Sequence, residues 1–123
     1  MSKPKAFSNS NVSVTPQIFY ILIALATKSR HGYEIMKLVE SHSRGRIKLG
    51  PGTLYGAIKR MLEVGLIAES GLSQNRRKYY QLTPKGRVIF NSELQRYNDA
   101  LNFAKAQGLF QPSSALKTVL SYV

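Results

Sequence analysis

The sequence predicts a mainly helical α+β fold: helices in series, one small β-hairpin between the third and the fourth, and a long helix toward the C-terminus. Three observations predict it. A threonine followed by proline, the pattern of a helix N-cap and first helical residue, occurs at Thr15–Pro16 and again at Thr83–Pro84. Between these marks apolar residues recur at helical spacing, except from Leu66 to Leu82, where two short alternating runs flank a linker of turn formers. With 123 residues the chain can build one small core but not two ordinary domains, so one domain with appendages is expected.

Residues 1–14 are rich in Ser, Asn and Lys, bury too little apolar surface to offset ordering, and read as a flexible basic arm. The first helix runs from Pro16 to about Thr27. Its Ile18, Phe19, Ile21, Leu22, Leu25 and Ala26 cover more than half the circumference, as in a helix buried between neighbours. After a break at Arg30, His31 and Gly32, the recurrence of Tyr33, Met36, Leu38 and Val39 predicts a second helix from about Gly32 to Ser43. In Gly45–Gly50, Ile47 and Leu49 alternate with Arg46 and Lys48, which predicts an extended segment able to add a third strand.

Pro51 opens the third helix, whose Leu54, Ile58, Met61 and Leu62 share one stripe, and Gly65 ends it. Leu66–Ser70 and Lys78–Leu82 read as the hairpin strands, with a basic tip between them. Alternation turns Tyr80 and Leu82 toward the third helix and Tyr79 and Gln81 away. The fourth helix follows Thr83 and continues to about Gln107, roughly 36 Å at about 1.5 Å per residue. Beyond Gly108 and Pro112, Ser113 or Ser114 caps a last short helix presenting Leu116, Val119, Leu120 and Val123. The expected organisation is therefore an arm (1–14), a helical domain with a hairpin (15–83) and a C-terminal helical segment (84–123).

Lys and Arg outnumber Asp and Glu by 18 to 6, a net charge of +12 that would repel itself without a polyanion nearby. From Arg44 to Arg87 there are ten basic residues against Glu63 and Glu69, so the charge concentrates on the third helix and the hairpin. The absence of cysteine excludes disulfides, thiolate metal sites and a cysteine nucleophile, and suits a reducing, cytoplasmic compartment. Lys3 and Lys5 before the apolar run Ile18–Ala26 resemble a secretory signal, but the Thr15–Pro16 cap makes that run the opening helix of a folded domain. It is also too short to span a bilayer, and no membrane association is expected.

Catalytic and metal sites find no support. His42 stands eleven positions from His31 with no carboxylate cluster beside either, and a histidine next to glycine in a turn is most often a capping or packing residue. Gly50 and Gly52 lack the spacing of a phosphate loop, no nucleophile has a plausible base, and no cofactor is implied.

Two helices, a tight connection, a third helix and a basic hairpin make a winged helix-turn-helix. Such a fold places one helix in the major groove, where base edges are distinguishable, and the hairpin tip on flanking phosphates. With Leu54 and Ile58 facing the core, the outward face of the third helix carries Thr53, Tyr55, Lys59 and Arg60. Gly52 and Gly56 keep that face slim, and Arg76, Arg77 and Lys78 form the wing's cationic tip. The bland alternatives are a core aromatic at Tyr55 and solvated charges elsewhere.

The sequence also resembles the PadR-like family of transcriptional regulators, from about Ile18 to Arg87. The resemblance rests on His31-Gly32-Tyr33-Glu34-Ile35, Gly52-Thr53-Leu54-Tyr55, Lys59-Arg60-Met61, Gly65-Leu66-Ile67 and the run Arg77 to Gly86. It implies a dimeric repressor in which the third helix enters the major groove, the wing holds the backbone and the C-terminal helix pairs the subunits. Two features depart from the commonest pattern. Gly56 stands where many relatives carry proline, and the short segment after Gly86 leaves little room for a separate ligand domain.

Phe90, Leu94, Tyr97, Leu101 and Ala104, spaced as a heptad seam, are the expected dimer interface. Phe19, Tyr20, Phe90, Tyr97 and Phe103 are candidates for an effector cavity that would take a small aromatic compound, the alternative being a packed dimer core. The expected partners are double-stranded DNA with a pseudo-palindromic site and a second copy of the chain. Two other readings stay open: an architectural protein that coats DNA without preference, and a winged helix that binds an acidic protein surface.

Overall fold

The computed structural model of the chain describes residues 12–72 and 76–110, so most of the N-terminal arm and the short helix expected after Pro112 lie outside the described residues. The elements run α1 (Pro16–Leu25), β1 (Arg30–His31), α2 (Gly32–His42), α3 (Pro51–Glu63), β2 (Ile67–Leu72), β3 (Lys78–Leu82) and α4 (Pro84–Ala106). By their contacts they fall into two units, one through Asn91 and one from Ser92 onward.

The first unit is built around α1. Thr15 caps it, its hydroxyl accepting the Ile18 amide at 3.2 Å, and Pro16 supplies the preset first turn. Ile21, Leu22 and Leu25 are fully enclosed, packed with Ile35 and Val39 of α2, Leu54, Ile58 and Met61 of α3, and Leu66 and Ile67 at the start of the hairpin. The stripe predicted for α3 is thus the buried one, except that Leu62 is only half-buried. In α2 the buried pair is Ile35 and Val39, while Tyr33 is half exposed.

Both α2 and α3 end by the same device. Gly45 N–H donates to Glu40 O at 2.9 Å and Arg44 N–H to Ser41 O at 3.2 Å; Leu66 N–H donates to Met61 O at 2.9 Å and Gly65 N–H to Leu62 O at 3.2 Å. Each reversal needs a left-handed residue, supplied by Gly65 (φ 82°) after α3 and by Arg44 (φ 57°) after α2.

The sheet has three antiparallel strands in the order β1-β3-β2. The third strand is not where the alternation of Gly45–Gly50 placed it. That segment is a turn, closed by the Ser43 hydroxyl, which accepts the Ile47 amide at 2.9 Å and donates to Ile47 O at 3.3 Å. The added strand is Arg30–His31, with Arg30 opposite Tyr80 and His31 opposite Tyr79. In the hairpin Ile67 pairs with Leu82 and Leu72 with Lys78, and a bulge between Glu69 and Gly71 makes β2 longer than predicted. Tyr80 is buried and Gln81 exposed, as alternation requires. Burial raises the Tyr80 hydroxyl above its ordinary range, and Glu69 and Tyr55 add to the shift.

The start of α4 is fastened to the turn after α3. Thr83 Oγ1 accepts the Gly86 amide at 2.9 Å and donates to Gly65 O at 2.5 Å, and Lys85 Nζ donates to Val64 O at 2.7 Å. Gly86 lies directly against the Leu66 carbonyl, and Phe90 stacks on Phe19 with ring centroids 6.0 Å apart. Arg87 reaches the end of α1, donating to Ala26 O at 3.0 Å. No helix among the described residues is long and apolar enough to cross a membrane.

Candidate nucleic-acid interface

Burial of Leu54, Ile58 and Met61 fixes the rotation of α3 and leaves Thr53, Tyr55, Lys59 and Arg60 exposed on its other side. Nothing lies within 4 Å of a side chain added at Gly52 or Gly56, so this face is open along its first two turns. No side chain caps the N-terminus of α3, which begins at Gly50 with Pro51 in the first turn. Tyr55 does not extend freely. Its phenol end lies over Gly32, where a Cβ would collide with it, so α2 and α3 meet with the aromatic ring of one covering the backbone of the other. Half the Tyr55 surface remains exposed.

The wing reaches the same place through His31. The imidazole Nδ1 caps α2 by accepting the Glu34 amide at 3.2 Å, and the His31 amide donates to Glu34 Oε1 at 3.1 Å, a reciprocal capping box. Arg77 Nη1 lies 3.1 Å from the other ring nitrogen, and the Tyr79 ring meets the imidazole edge to face at 5.3 Å. One buried histidine thus ties the wing's base to the first turn of α2. Of the predicted wing cations, Arg76 is exposed in the left-handed conformation (φ 63°), and Lys78 pairs across the hairpin with Glu69 at 3.6 Å.

Sequence reasoning left Tyr33 and Lys37 out of this surface. Lys37 Nζ lies 5.7 Å from the centre of the Tyr33 ring and Arg77 Cζ lies 5.9 Å from it, so α2 contributes an aromatic flanked by two cations. The spacing of four between Tyr33 and Lys37, beside the strongly basic segment that follows, was the available signal.

The candidate effector residues do not form one site within the first unit. Phe19 and Tyr20 line an open groove of about 480 Å³ between α1 and α2, with Ile23, Leu38, Val39 and His42. Phe90 packs on Phe19, and Tyr97 and Phe103 belong to the second unit, where both are exposed. Of the seam, Phe90 is buried in the first unit, whereas Leu94, Tyr97 and Leu101 are exposed and Ala104 half-buried. Among the described residues there is no cluster of three potential metal ligands.

Three helices, a small sheet and a cationic hairpin beside an open helix face define a winged helix-turn-helix. The chain belongs to the PadR-like family of transcriptional regulators, whose model matches residues 21–92. As a member it is a PadR-like DNA-binding regulator. It is 34% identical to a PadR family transcription regulator from hypervirulent Clostridium difficile, covering 72% of this chain and 95% of that one with a TM-score of 0.57. Bacillus subtilis PadR, crystallised in complex with operator DNA, shares the fold at a TM-score of 0.59 and 19% identity, over 67% of this chain and 48% of that one. An uncharacterized 37.1 kDa protein in a transposon of Streptomyces fradiae is 40% identical over 73 residues, 59% of this chain; the matched stretch is 20% of that protein's length.

Proposed function

We propose that the protein is a homodimeric, sequence-specific repressor that reads DNA with α3 and holds the backbone with the wing. The observation that carries this reading is the exposure of Thr53, Tyr55, Lys59 and Arg60 on α3 and of Arg76, Arg77 and Lys78 on the wing, linked where Tyr55 covers Gly32 and Arg77 meets His31, with Leu54, Ile58 and Met61 of α3 turned inward. In this reading Thr53, Tyr55 and Lys59 meet base edges and adjacent phosphates, and the wing cations hold the flanking backbone. A second copy joined through Leu94, Tyr97, Leu101 and Ala104 would set two reading helices about 34 Å apart, one helical turn of DNA. The apolar groove beside Phe19 and Tyr20 suits a small aromatic effector that modulates this binding.

Selection of bound sites from random DNA tests the reading, and a pseudo-palindrome is the expected product. If each subunit neutralises roughly four phosphates, log affinity falls with log salt at a slope of about −7. An affinity indifferent to salt would overturn the proposal. Competition with random DNA separates it from a coating protein, since a regulator prefers its site by roughly a thousandfold or more. Titration with planar phenolic compounds tests the effector: unchanged operator affinity removes this class of ligand.

A further inference from the structure

We infer that Tyr33 and Lys37 of α2 form, with Arg77 of the wing, a composite seat for one DNA phosphodiester between the reading helix and the wing. The inference rests on the DNA-binding reading above and adds a site to it.

Tyr33 is a large aromatic that the core does not use, since Ile35 and Val39 supply the buried side of α2 and half of Tyr33 is exposed. Its ring holds two cations from different elements, Lys37 at 5.7 Å and Arg77 at 5.9 Å. An exposed aromatic flanked by cations from two elements offers a polyanion both charges at one point of the surface.

The wing's base is held at this place by the 3.1 Å contact between Arg77 Nη1 and His31 Nε2, which sets the guanidinium beside the first turn of α2. Placement completes the case. Gly32, the residue before Tyr33, is covered by the phenol of Tyr55 on α3, so the seat lies at the border of the reading face on one side and at the wing's base on the other. Phosphate groups accept from tyrosine hydroxyls, lysine and arginine alike, and such contacts fix register without reading sequence.

The test is a salt titration of Lys37→Gln, Tyr33→Ala and the double variant on two duplexes, one carrying the selected site and one of random sequence. Each single change should weaken binding to both duplexes by the same factor, about three- to tenfold near 0.1 M salt, and Lys37→Gln, which removes a charge, should also make the slope less negative by about one while Tyr33→Ala leaves it nearly unchanged. Because both serve one phosphate, the double variant should lose less than the product of the two single losses. Thermal melting, little changed for exposed positions, keeps misfolding apart from lost contact. An unchanged slope and affinity in Lys37→Gln overturns the seat while the wild-type protein still binds its site. A loss confined to the selected sequence also overturns it, because that behaviour belongs to a base contact. Failure of the wild-type protein to bind either duplex overturns the seat and the DNA-binding reading together.

Discussion

Gly32 and Gly86 are both places where a side chain has no room, yet what blocks each differs in kind. At Gly86 the obstacle is the Leu66 carbonyl, a backbone group that also accepts the Thr83 amide at 3.1 Å and cannot withdraw without opening the junction between α3 and α4. Gly86→Ala should therefore cost about 3 kcal/mol, read as a lower midpoint in urea denaturation. At Gly32 the obstacle is the far end of Tyr55, a half-exposed side chain that can swing aside. Gly32→Ala should cost about 1 kcal/mol or less in stability while lowering affinity for the selected DNA site several-fold, because the displaced phenol belongs to the proposed reading face. A Gly32→Ala protein that binds DNA like the wild type would mean that the position of Tyr55 does not matter to recognition. The face itself was legible at this scale, since assigning Leu54, Ile58 and Met61 to the core left Thr53, Tyr55, Lys59 and Arg60 with nowhere to go but outward. Tyr33 was not. In an eleven-residue helix several apolar sets satisfy helical spacing, and packing against α1 and α3, rather than period, chose Ile35 and Val39 over Tyr33.

Among the elements, those announced by a local signal, a helix cap or alternation on both sides of a turn, were legible, and the strand made only by pairing was not. Thr15–Pro16 and Thr83–Pro84 begin helices because a hydroxyl acceptor and a preset φ act within one turn of chain. β1 carries no such signal: Arg30–His31 is a strand because the edge of β3 lies beside it, and two residues cannot display a period. Ile47 and Leu49 displayed the period without a partner edge, and Ser43, at the end of α2, holds that stretch as a turn instead. The element most exposed to a single change is the start of α4. Thr83 Oγ1 caps that helix and also binds Gly65 O, joining two elements with one hydroxyl. Thr83→Ala should destabilise by about 1 to 2 kcal/mol, and Thr83→Ser, which keeps the hydroxyl, by much less. Equal losses in the two variants would assign the effect to the methyl group rather than the cap.

For the whole molecule, a charge of +12 provides affinity for any duplex, whereas choosing a site requires the two reading helices of the proposed dimer to be held at a fixed separation. These properties depend on different residues and should come apart under mutation. Leu94 and Leu101 are exposed in the single chain, one on each side of the half-exposed Tyr97, and each replacement by lysine would set a charge against the same apolar strip of a second copy. The variant Leu94→Lys with Leu101→Lys should sediment as a monomer that still unfolds cooperatively, at a midpoint lowered by the loss of association, because neither side chain is part of the single chain's buried core. On random DNA it should bind at least as well per chain as the wild type, since two positive charges have been added and no wing or α3 contact removed. On the selected palindrome it should lose most of its preference, because each half-site must now be bound independently and the second gains nothing from the first. A variant that stays dimeric removes the seam from the interface. A variant that becomes monomeric yet keeps its full preference for the palindrome would show that site choice resides in a single α3, with the pairing of subunits serving some purpose other than recognition.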